Sequence, residues 1–374
     1  MPASALRCSV PLSNAPVIQS PPPSDEIEIS VFGPGFGESI VAHIGGGEWI
    51  VVDSCRSNGS ILPLEYLKQL QVPLDSAVRV VLATHWHNDH IRGLAQIVEQ
   101  AASAQFNCSQ ALGSKELSTL TEIWDETDHK ASPAFEFLKI QQTLEAAGRS
   151  MDFASAHKTL WNRNGAEVIA LSPSGDSIHR AYQSIASLVN EVAQTRGRSW
   201  APSPNYNSVA LWLRVGSVDV LLGADLEETS PCRGWSVLLD SPVPVPGKAS
   251  AYKISHHGSH TGDHPAVWSQ LLLPAPFAIC TPFEKGRVRL PTGADVTRTL
   301  QYTPAAFIAS VPHDYSRRRR TGTVNRTMLE ATRSLKDMNH QPGHVRLRRK
   351  IDASAPWNVE LFGGARLLNA NEFN

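Results

Sequence analysis

Short apolar runs bounded by glycine or proline fill the first part of the chain. The runs EIEISVFG, SIVAHI and EWIVVDS are separated by the glycine-rich stretches GPGFG and GGG. Because β-branched residues rather than a helical period follow these glycines, the pattern predicts three strands joined by tight turns and not a phosphate-binding loop. PLEYLKQL then predicts a helix, AVRVVLAT predicts a buried strand, and HIRGLAQIVEQ begins another helix.

The middle of the chain is mainly helical but contains further apolar runs. SPAFEFLKIQQTLEAAG has Ser132 as a helix N-cap, Pro133 at the first helical position and Gly148 as a stop signal. Residues 176–195 are also predicted to be helical. The runs AEVIALSP, SVALWLRV, VDVLLGAD, SAYKIS and PFAICTPF predict short strands. Strands interleaved with helices are typical of the α/β class.

The pattern divides the chain into three parts. Residues 1–25 are rich in Pro and Ser and are predicted to form a flexible leader. Residues 26–310 are predicted to form one α/β domain with a helical insertion at about 110–160. Residues 311–374 are predicted to form a basic C-terminal extension that is packed on this domain or attached to it.

The cysteines and the apolar runs of the sequence indicate the cellular compartment in which the protein works. The five cysteines are scattered and form no CxxC pair, which argues against a zinc knuckle or a disulfide framework and favours a reducing compartment. The N-terminal stretch lacks the continuous apolar core of a secretory signal, and no run approaches the roughly 18 apolar residues of a membrane span. We therefore expect a cytoplasmic protein that has no membrane partner.

Charge is distributed unevenly along the chain. Residues 311–350 hold eleven Arg or Lys against three Asp or Glu, a local charge of +8 in a chain whose net charge is −1. A basic patch on an otherwise acidic protein favours binding to a polyanion. TMLEATRSLKDM predicts a helix and HVRLRRKI with WNVELFG predicts a strand pair, so we interpret the charges as displayed on folded structure, with a solvated tail as the alternative. The candidates for contact with a nucleic-acid backbone are Arg317, Arg318, Arg319, Arg320, Arg346, Arg348 and Arg349.

The stretch VLATHWHNDHIRG, residues 81–93, carries the strongest chemical signal. A buried strand leads directly to four potential ligands, which are His85, His87, Asp89 and His90. Side chains two positions apart on an extended segment point the same way, so His85, His87 and Asp89 can converge on one locus while the last histidine points to a neighbouring one. Imidazoles with one carboxylate suit a transition metal such as zinc or manganese. The spacing therefore predicts a metal centre at the end of this strand, in preference to a polar surface loop.

The HxHxDH pattern resembles that of the metallo-β-lactamase fold, and other segments extend the resemblance over residues 53–258. IVVDS places Asp53 at an aspartate that supports the metal loops, VLLGADLEE places Asp225 at one that bridges two metals, and KISHHGSHTG supplies the final His–Gly at His257. The resemblance implies an αββα sandwich whose metal site holds two divalent ions, Zn²⁺ or alternatively Mn²⁺. The implied ligands are His85, His87, Asp89, His90, Asp225 and His257, with His256 left open as a replacement for His257.

One ligand of the family pattern is missing. The histidine that usually precedes the strand equivalent to SVALWL is replaced by SPNYN, so Asn205 and Asn207 are expected beside the first metal. NYNSVALWL, LLGADLEE and YKISHHGSHTG together resemble the metallo-β-lactamase-type domain of the ComEC competence proteins and their stand-alone relatives. That resemblance implies a metal-dependent phosphodiesterase acting on DNA. Stand-alone relatives often accompany other proteins in bacterial operons, so a protein partner is compatible with it.

Cleavage of DNA phosphodiester bonds by a metal-activated hydroxide is thus the expected function. Asp89 is expected to orient the hydroxide and His256 to donate a proton to the leaving group. Lys253 and Ser259 are expected to contact phosphate, although a solvated strand residue is an equal alternative for Lys253. Two other function classes stay open. One is hydrolysis of a small ester, lactone or phosphorylated molecule, and the other is a metal-bearing binding partner in a multi-protein bacterial system.

If residues 311–350 engage phosphates, replacing Arg317, Arg318, Arg319 and Arg320 with Ala will flatten the salt dependence of DNA binding. Each neutralised phosphate releases counterions, with a logarithmic slope of about −0.9 per contact on a duplex and about −0.7 on a single strand. The slope should flatten by up to roughly three units when labelled DNA is titrated at several salt concentrations. An unchanged slope would show that the tail is solvated or binds a protein. A parallel loss of turnover of a small chromogenic phosphodiester, which is too short to reach the tail, would show that the segment is structural.

Overall fold

Two eight-stranded sheets organise the protein in a computed structural model that describes residues 20–113, 133–195, 205–229, 233–311, 342–352 and 356–373. The strands are β1 Glu26–Gly33, β2 Ser39–Ile44, β3 Trp49–Val52, β4 Arg56–Ser57, β5 Ser60–Ile61, β6 Val78–Ala83, β7 Gln105–Ser109, β8 Met151–Ala154, β9 Thr159–Arg163, β10 Ala166–Ala170, β11 Leu211–Val215, β12 Val218–Leu222, β13 Ala249–Lys253, β14 Leu272–Cys280, β15 Phe283–Lys285, β16 Val288–Leu290, β17 Ala306–Ile308, β18 Gly343–Lys350, β19 Asn358–Phe362 and β20 Arg366–Leu367. The α-helices are α1 Leu62–Gln69, α2 Leu74–Ala77, α3 Asn88–Ile91, α4 Leu94–Gln100, α5 Pro133–Ala146, α6 Gly175–Thr195, α7 Trp235–Leu239 and α8 Gly293–Tyr302. None of these described helices has the length and apolar character that crossing a membrane requires.

Apolar side chains from the facing surfaces of the two sheets form one buried core. Ile29 and Ile40 of the first sheet pack in it with Val168, Leu211 and Val220 of the second. A second cluster joins the outer face of the first sheet to α1, α4 and α5, and a third joins the outer face of the second sheet to α7 and α8. Helices therefore flank both sheets. This confirms the predicted α/β class and gives a sandwich consistent with the metallo-β-lactamase fold.

The strand order places several strand ends at the same edge of each sheet. The order is β19-β18-β1-β2-β3-β6-β7-β8 in the first sheet and β20-β17-β14-β13-β12-β11-β10-β9 in the second. β1 and β2 pair antiparallel across the GPGFG turn, as predicted, whereas β3, β6 and β7 run parallel. In the second sheet β12, β13 and β14 also run parallel. Polar residues that follow parallel strands collect at one edge, and the His-rich stretch directly follows β6.

Residues 151–163 differ from the predicted helical insertion. The predicted insertion at about 110–160 contains α5, as predicted, but α5 is followed by β8 and β9, which extend opposite sheets. β9 and β10 form a hairpin whose turn holds Asn164 and Gly165 at φ angles of 53° and 78°. Asn-Gly is the preferred pair for a two-residue hairpin turn with positive φ at both positions. That dipeptide was the signal in the sequence for this hairpin.

The predicted strand pair near the C-terminus is confirmed and belongs to the main sheets. β18 pairs antiparallel with both β1 and β19, and β20 pairs with β17. Residues after 342 thus form strands of both main sheets. The predictions that fall outside the described residues concern the leader up to residue 19, the N-cap Ser132, the helix TMLEATRSLKDM, and Arg317, Arg318, Arg319 and Arg320.

A buried polar cluster joins β1 to β18. Glu28 is fully buried and accepts hydrogen bonds from Tyr66 Oη at 2.6 Å and Arg348 Nε at 2.7 Å. Arg346 is 2 % exposed and donates two hydrogen bonds of 2.8 Å to Glu360 on β19. Two arginines that charge alone assigned to nucleic acid, Arg346 and Arg348, therefore hold strands together. Their alternate positions on β18 direct both side chains to the same buried face of the sheet.

Glu28→Ala is expected to lower the free energy of unfolding by about 3 kcal/mol or more, because truncating one partner of a buried ion pair leaves the other charge unpaired. Urea denaturation measures this change. Lys350→Ala on the same strand is the matched control. Its ammonium lies 3.8 Å from Asp25 and both side chains are more than half exposed, so we expect a loss below about 1 kcal/mol. Equal losses in the two variants would show that the Glu28 cluster does not hold the strands together.

Candidate metal centre

The His-rich stretch occupies the turn after β6 and the start of α3. His87 precedes α3, whereas His90 lies within it and is fully buried. Asp53, at the end of β3, accepts hydrogen bonds of 2.7 Å from the Thr84 backbone N–H, from Thr84 Oγ1 and from His90 Nδ1. Asp53 has a φ of 59°, a left-handed conformation that aspartate tolerates better than most residues. Its carboxylate fixes the ring of His90, which leaves Nε2 as the free ligand atom.

The second sheet contributes Asp225 after β12 and His257 after β13. His256 and His257 both have positive φ angles, 46° and 54°, in the tight turn Ser255–Gly258. His257 Nδ1 lies 3.3 Å from the Thr281 carbonyl oxygen, to which it donates. That contact leaves His257 Nε2 directed at the first sheet. Thus the ends of β12 and β13 face the His-rich stretch across the sandwich.

Four side chains surround one point between the sheets, and we call Asp89, His90, Asp225 and His257 the second ligand group. His90 Nε2 lies 3.6 Å from Asp89 Oδ2 and 3.3 Å from Asp225 Oδ2. His257 Nε2 lies 3.5 Å and 3.4 Å from the same two oxygens. Ligand atoms around a tetrahedral zinc with bonds of about 2.0 Å are separated by about 3.3 Å. The spacing of the second ligand group is therefore close to that of a zinc site.

His85, His87 and Asp225 form the first ligand group. His85 Nε2 lies 3.0 Å from His87 Nδ1 and 3.7 Å from Asp225 Oδ2. The three residues place one potential ligand atom each within 4.8 Å of one another. Asp225 therefore takes part in both groups, which is the position that the sequence resemblance implied for it.

Several buried polar atoms at this centre have no hydrogen-bond partner among the residues that the structure describes. They are His90 Nε2, His257 Nε2 and Asp225 Oδ1. An unpaired buried nitrogen or oxygen costs free energy, and coordination to a cation removes that cost. Imidazoles and carboxylates together are donors that suit zinc and also manganese. The residues present thus fit divalent transition ions.

The pKa values at the centre reflect burial and the mixture of charges. Burial lowers the pKa of His85 well below its ordinary value. Burial is also the largest single effect on His90 and His257 and acts in the same direction, but the surrounding carboxylates, Asp225 first among them, together outweigh it. They raise the pKa of His90 well above its usual range and that of His257 to about 9. Burial would raise the pKa of Asp225, yet the two imidazoles hold it well below its usual range. Binding of a cation to these histidines would therefore release protons.

Glu38 and Lys253 form a buried ion pair behind the second ligand group. The Lys253 ammonium contacts Glu38 Oε2 and donates to the Ala224 carbonyl oxygen at 3.1 Å, and its side chain is fully buried. This placement disfavours the expected contact of Lys253 with phosphate. Glu38 also accepts a hydrogen bond from Thr281 Oγ1 and lies 3.8 Å from His257 Nδ1. Sequence reasoning missed Glu38 because a single glutamate at the start of a strand carries no spacing signal.

His256 has a different set of partners from its neighbour His257. Its Nδ1 lies 3.0 Å from Glu227 Oε1, and its Nε2 lies 3.1 Å from Asn205 Nδ2. Because the Asn205 amide donates, Nε2 accepts and Nδ1 carries the proton that is donated to Glu227. The structure thus brings His257, and not His256, into the second ligand group. Glu227 was not identified from sequence, although it stands two residues after Asp225 in GADLEE.

The segment that replaces the missing histidine runs beside the His-rich stretch. The Val209 backbone N–H donates to the Thr84 carbonyl oxygen at 3.0 Å, directly before that stretch. Asn207 is fully buried, and its backbone carbonyl accepts a hydrogen bond of 2.7 Å from Ser109 Oγ. Asn205 reaches His256, as described above. A position beside the first metal stays a prediction for both asparagines.

Other residues that were expected to bind substrate make local structural contacts. Ser259 Oγ accepts a hydrogen bond from the Thr261 backbone N–H and caps the helical turn His260–Gly262. Arg346 and Arg348 pair with glutamates of the first sheet, and Arg349 lies over the Trp357 ring at 5.6 Å. These contacts hold secondary structure together and do not involve the two ligand groups.

Comparison with known proteins agrees with this architecture. The sequence model of the metallo-beta-lactamase superfamily matches residues 32–117, which include the His-rich stretch. No curated protein matches the chain. Together with the two-sheet sandwich, the family match supports the metallo-β-lactamase fold. The fold and two buried clusters of potential ligands, one of His85, His87 and Asp225 and one of Glu38, His90, Asp225 and His257, support a metal-dependent hydrolase.

Solved structures that resemble the chain do so at low identity. The metallo-beta-lactamase fold protein YhfI from Bacillus subtilis is 11 % identical with a TM-score of 0.36, over 76 % of this chain and 95 % of that chain. The subclass B3 metallo-beta-lactamase MEM-A1 from a soil metagenome library is 12 % identical with a TM-score of 0.34, over 67 % and 86 %. Zn(2+)-bound PqqB from Methylobacterium extorquens is 13 % identical with a TM-score of 0.29, over 58 % and 56 %.

Asp53→Asn removes the charge that binds His90 Nδ1 but keeps the shape of the side chain, and asparagine also tolerates the left-handed backbone. The affinity of the second ligand group for Zn²⁺ should fall by about 10- to 100-fold, the usual cost of losing a partner that orients a ligating histidine. Competition with a fluorescent chelator measures this affinity. Asp75→Asn, the same change at an exposed residue, should leave it unchanged. Wild-type affinity in Asp53→Asn would show that Asp53 does not orient the ligand.

Proposed function

We propose that this protein is a metal-dependent phosphodiesterase whose substrate is nucleic acid, DNA in the first place. The observation that carries the proposal is the position of Asp225. Its Oδ2 lies 3.7 Å from His85 Nε2 in the first ligand group and 3.3 Å from His90 Nε2 in the second. One carboxylate shared in this way suits a pair of divalent ions, zinc in preference and manganese as the alternative.

A pair of divalent ions supplies an activated water and neutralises the charge of a bound phosphate, which is the chemistry that recurs in phosphatases and nucleases. Two-metal sites also hydrolyse amides, as in aminopeptidases, so the shared carboxylate supports a two-metal hydrolase and the preference for a phosphodiester rests on the sequence features that follow. The resemblance of NYNSVALWL and KISHHGSHTG to the ComEC-type domain supports DNA as the substrate, and the charge of residues 311–350 supports binding to a polyanion.

The protein's own residues would position the reactants. Asp89 Oδ2 lies between His90 Nε2 and His257 Nε2, so its carboxylate is the group that we assign to orienting the attacking water. His256 is the residue that we assign to protonating the leaving oxygen. It would act through Nε2, which must first take up a proton and release the Asn205 amide, while Glu227 at Nδ1 stabilises the charged ring. The surrounding hydrogen bonds keep the ligating rings in place before substrate arrives.

A substrate panel separates this function from its alternatives. Purified protein is incubated with plasmid, single-stranded DNA, RNA, a chromogenic phosphodiester, and small esters and lactones, each with Zn²⁺, Mn²⁺ or EDTA. We expect DNA to be cleaved with a metal and to stay intact with EDTA. Turnover of esters or lactones alone would overturn the phosphodiester assignment. Metal binding without turnover of any substrate would identify a metal-bearing binding partner instead.

Asp225→Ala should remove metal from both ligand groups, whereas His87→Ala and Asp89→Ala should each affect only one group. Metal content after dialysis, measured by mass spectrometry, should therefore be lower in Asp225→Ala than in either other variant. Turnover of the phosphodiester should fall by at least about 100-fold, since loss of a ligand exceeds the cost of losing a residue that only orients one. Asp75→Ala is the control for loss of one carboxylate. Wild-type metal content in Asp225→Ala would refute the shared site.

A further inference from the structure

The short hairpin β15–β16, residues 283–290, stands apart from both main sheets and adjoins the metal centre. It forms its own two-stranded sheet, with Lys285 opposite Val288. It follows Thr281, whose carbonyl oxygen holds His257 Nδ1. The half-buried Phe283 ring lies 5.1 Å from the His257 ring, centroid to centroid. The base of the hairpin is therefore in contact with a residue of the second ligand group.

A second aromatic side chain joins the hairpin from the GPGFG turn. The Phe36 ring lies 5.6 Å from the Phe283 ring, and Lys285 Nζ lies over Phe36 at 5.5 Å. Phe36 is half-buried, whereas Lys285 is exposed. Two aromatic rings and one cation thus form a continuous surface beside the metal centre.

Backbone hydrogen bonds hold the GPGFG turn on both of its sides, so Phe36 has a fixed position. The Glu284 backbone N–H donates to the Gly35 carbonyl oxygen at 2.8 Å, and the Glu38 backbone N–H donates to the Asp89 carbonyl oxygen at 2.8 Å. Gly37 adopts a φ of +121°, and a Cβ there would lie 2.7 Å from Cys55 Cβ, so only glycine fits. The turn therefore links the hairpin to the loop that carries a metal ligand.

The hairpin is basic and its tip is exposed. Its sequence FEKGRVRL holds three cations and one acid, and Glu284 already lies 3.4 Å from Arg289. Lys285 and Arg287 are exposed, and among the residues that the structure describes no carboxylate pairs with either of them. A Cβ on Gly286 at the tip would meet no atom within 4 Å. The hairpin thus presents to solvent two cations that no described carboxylate neutralises, one of which lies over the Phe36 ring.

We propose that the β15–β16 hairpin and Phe36 form a binding platform for single-stranded nucleic acid, which guides the strand into the metal centre. Unpaired bases stack on the aromatic surface of Phe36 and Phe283, while Lys285 and Arg287 contact the flanking phosphates. Only a single strand exposes base faces for such stacking, and stacking on phenylalanine is tolerant of sequence. The inference rests on the proposed phosphodiesterase function for its substrate class and adds the element that binds the strand.

The charge contribution is tested with a matched pair of double variants. Lys285→Ala/Arg287→Ala removes the two cations of the hairpin. Arg163→Ala/Lys248→Ala removes two exposed cations elsewhere, one of them also stacked on an aromatic ring, Trp161. Binding of a fluorescein-labelled single-stranded oligonucleotide is followed by anisotropy in EDTA at several salt concentrations. Loss of two phosphate contacts should flatten the logarithmic salt slope by about 1.4 units, and the control should keep the wild-type slope.

The aromatic contribution is tested at Phe36, which does not touch a ligand group. Phe36→Ala should weaken oligonucleotide binding by roughly 5- to 150-fold, the range found for one base stacked on an aromatic residue. Phe36→Tyr should restore it, because tyrosine offers the same face for stacking. Circular dichroism checks that each variant is folded. With the metal-loaded protein, the ratio of kcat/KM for the oligonucleotide to that for a chromogenic phosphodiester should fall in Phe36→Ala and recover in Phe36→Tyr.

The binding measurements in EDTA and the cleavage measurements with metal together separate failure of this inference from failure of the proposed function. Binding that depends on the hairpin and Phe36, without cleavage in Zn²⁺ or Mn²⁺, would support the platform and overturn the phosphodiesterase. Cleavage of DNA with slopes and affinities that are equal in the hairpin variant, the control and wild type would overturn the platform alone. Absence of measurable oligonucleotide binding by the wild type would overturn it as well. Tighter binding of duplex than of single strand would also contradict it.

Discussion

The arrangement of the two sheets around the metal centre depends on the contacts of the Asp225 carboxylate, because potential ligands from both sheets face it. His85 and His90 come from the first sheet and His257 from the second, and one nitrogen of each lies within 3.7 Å of the same oxygen. Charges buried at such distances interact strongly, but removing them from water is costly unless both signs are buried together. The sandwich satisfies this condition by bringing the polar strand ends of the two sheets to one point.

Around this point, ionisable side chains are held by other ionisable side chains. Asp53 accepts a hydrogen bond from His90 Nδ1, and Glu227 accepts one from His256 Nδ1. Glu38 forms an ion pair with the Lys253 ammonium. A hydrogen bond or ion pair at one atom of a buried polar side chain fixes the direction in which its remaining atoms point. Because Asp53 and Lys253 stand at strand ends, the orientation of the centre follows from the rigid sheets rather than from mobile loops. Such a centre needs little rearrangement when it binds a cation.

Local patterns predicted the parts of the molecule that neighbouring residues determine. The α/β class, the early strands and the His-rich loop after β6 follow from contiguous segments of the chain. Roles that depend on a distant partner were not predictable: Glu38 reaches Thr281 across 243 positions, and Arg348 reaches Glu28 across 320. Charge assigned Arg348 to a nucleic-acid backbone, and the KISHHGS motif assigned Lys253 to phosphate, whereas in the structure each of them pairs with a buried glutamate. Only the fold reveals which cations remain available to a substrate.

The pairing of β1 with β18 has a consequence for synthesis of the protein on the ribosome. Glu26 stands opposite Lys350 in the register, so nearly the whole chain must be made before this pair can form. At about 5 to 20 residues per second, the roughly 320 intervening residues take about 15 to 65 seconds to synthesise. For that interval one hydrogen-bonding edge of the nascent first sheet is open, and an open edge recruits strands from other chains. Pairing of β1 with another chain is therefore favoured during synthesis unless another segment or a chaperone covers β1 until β18 has been made.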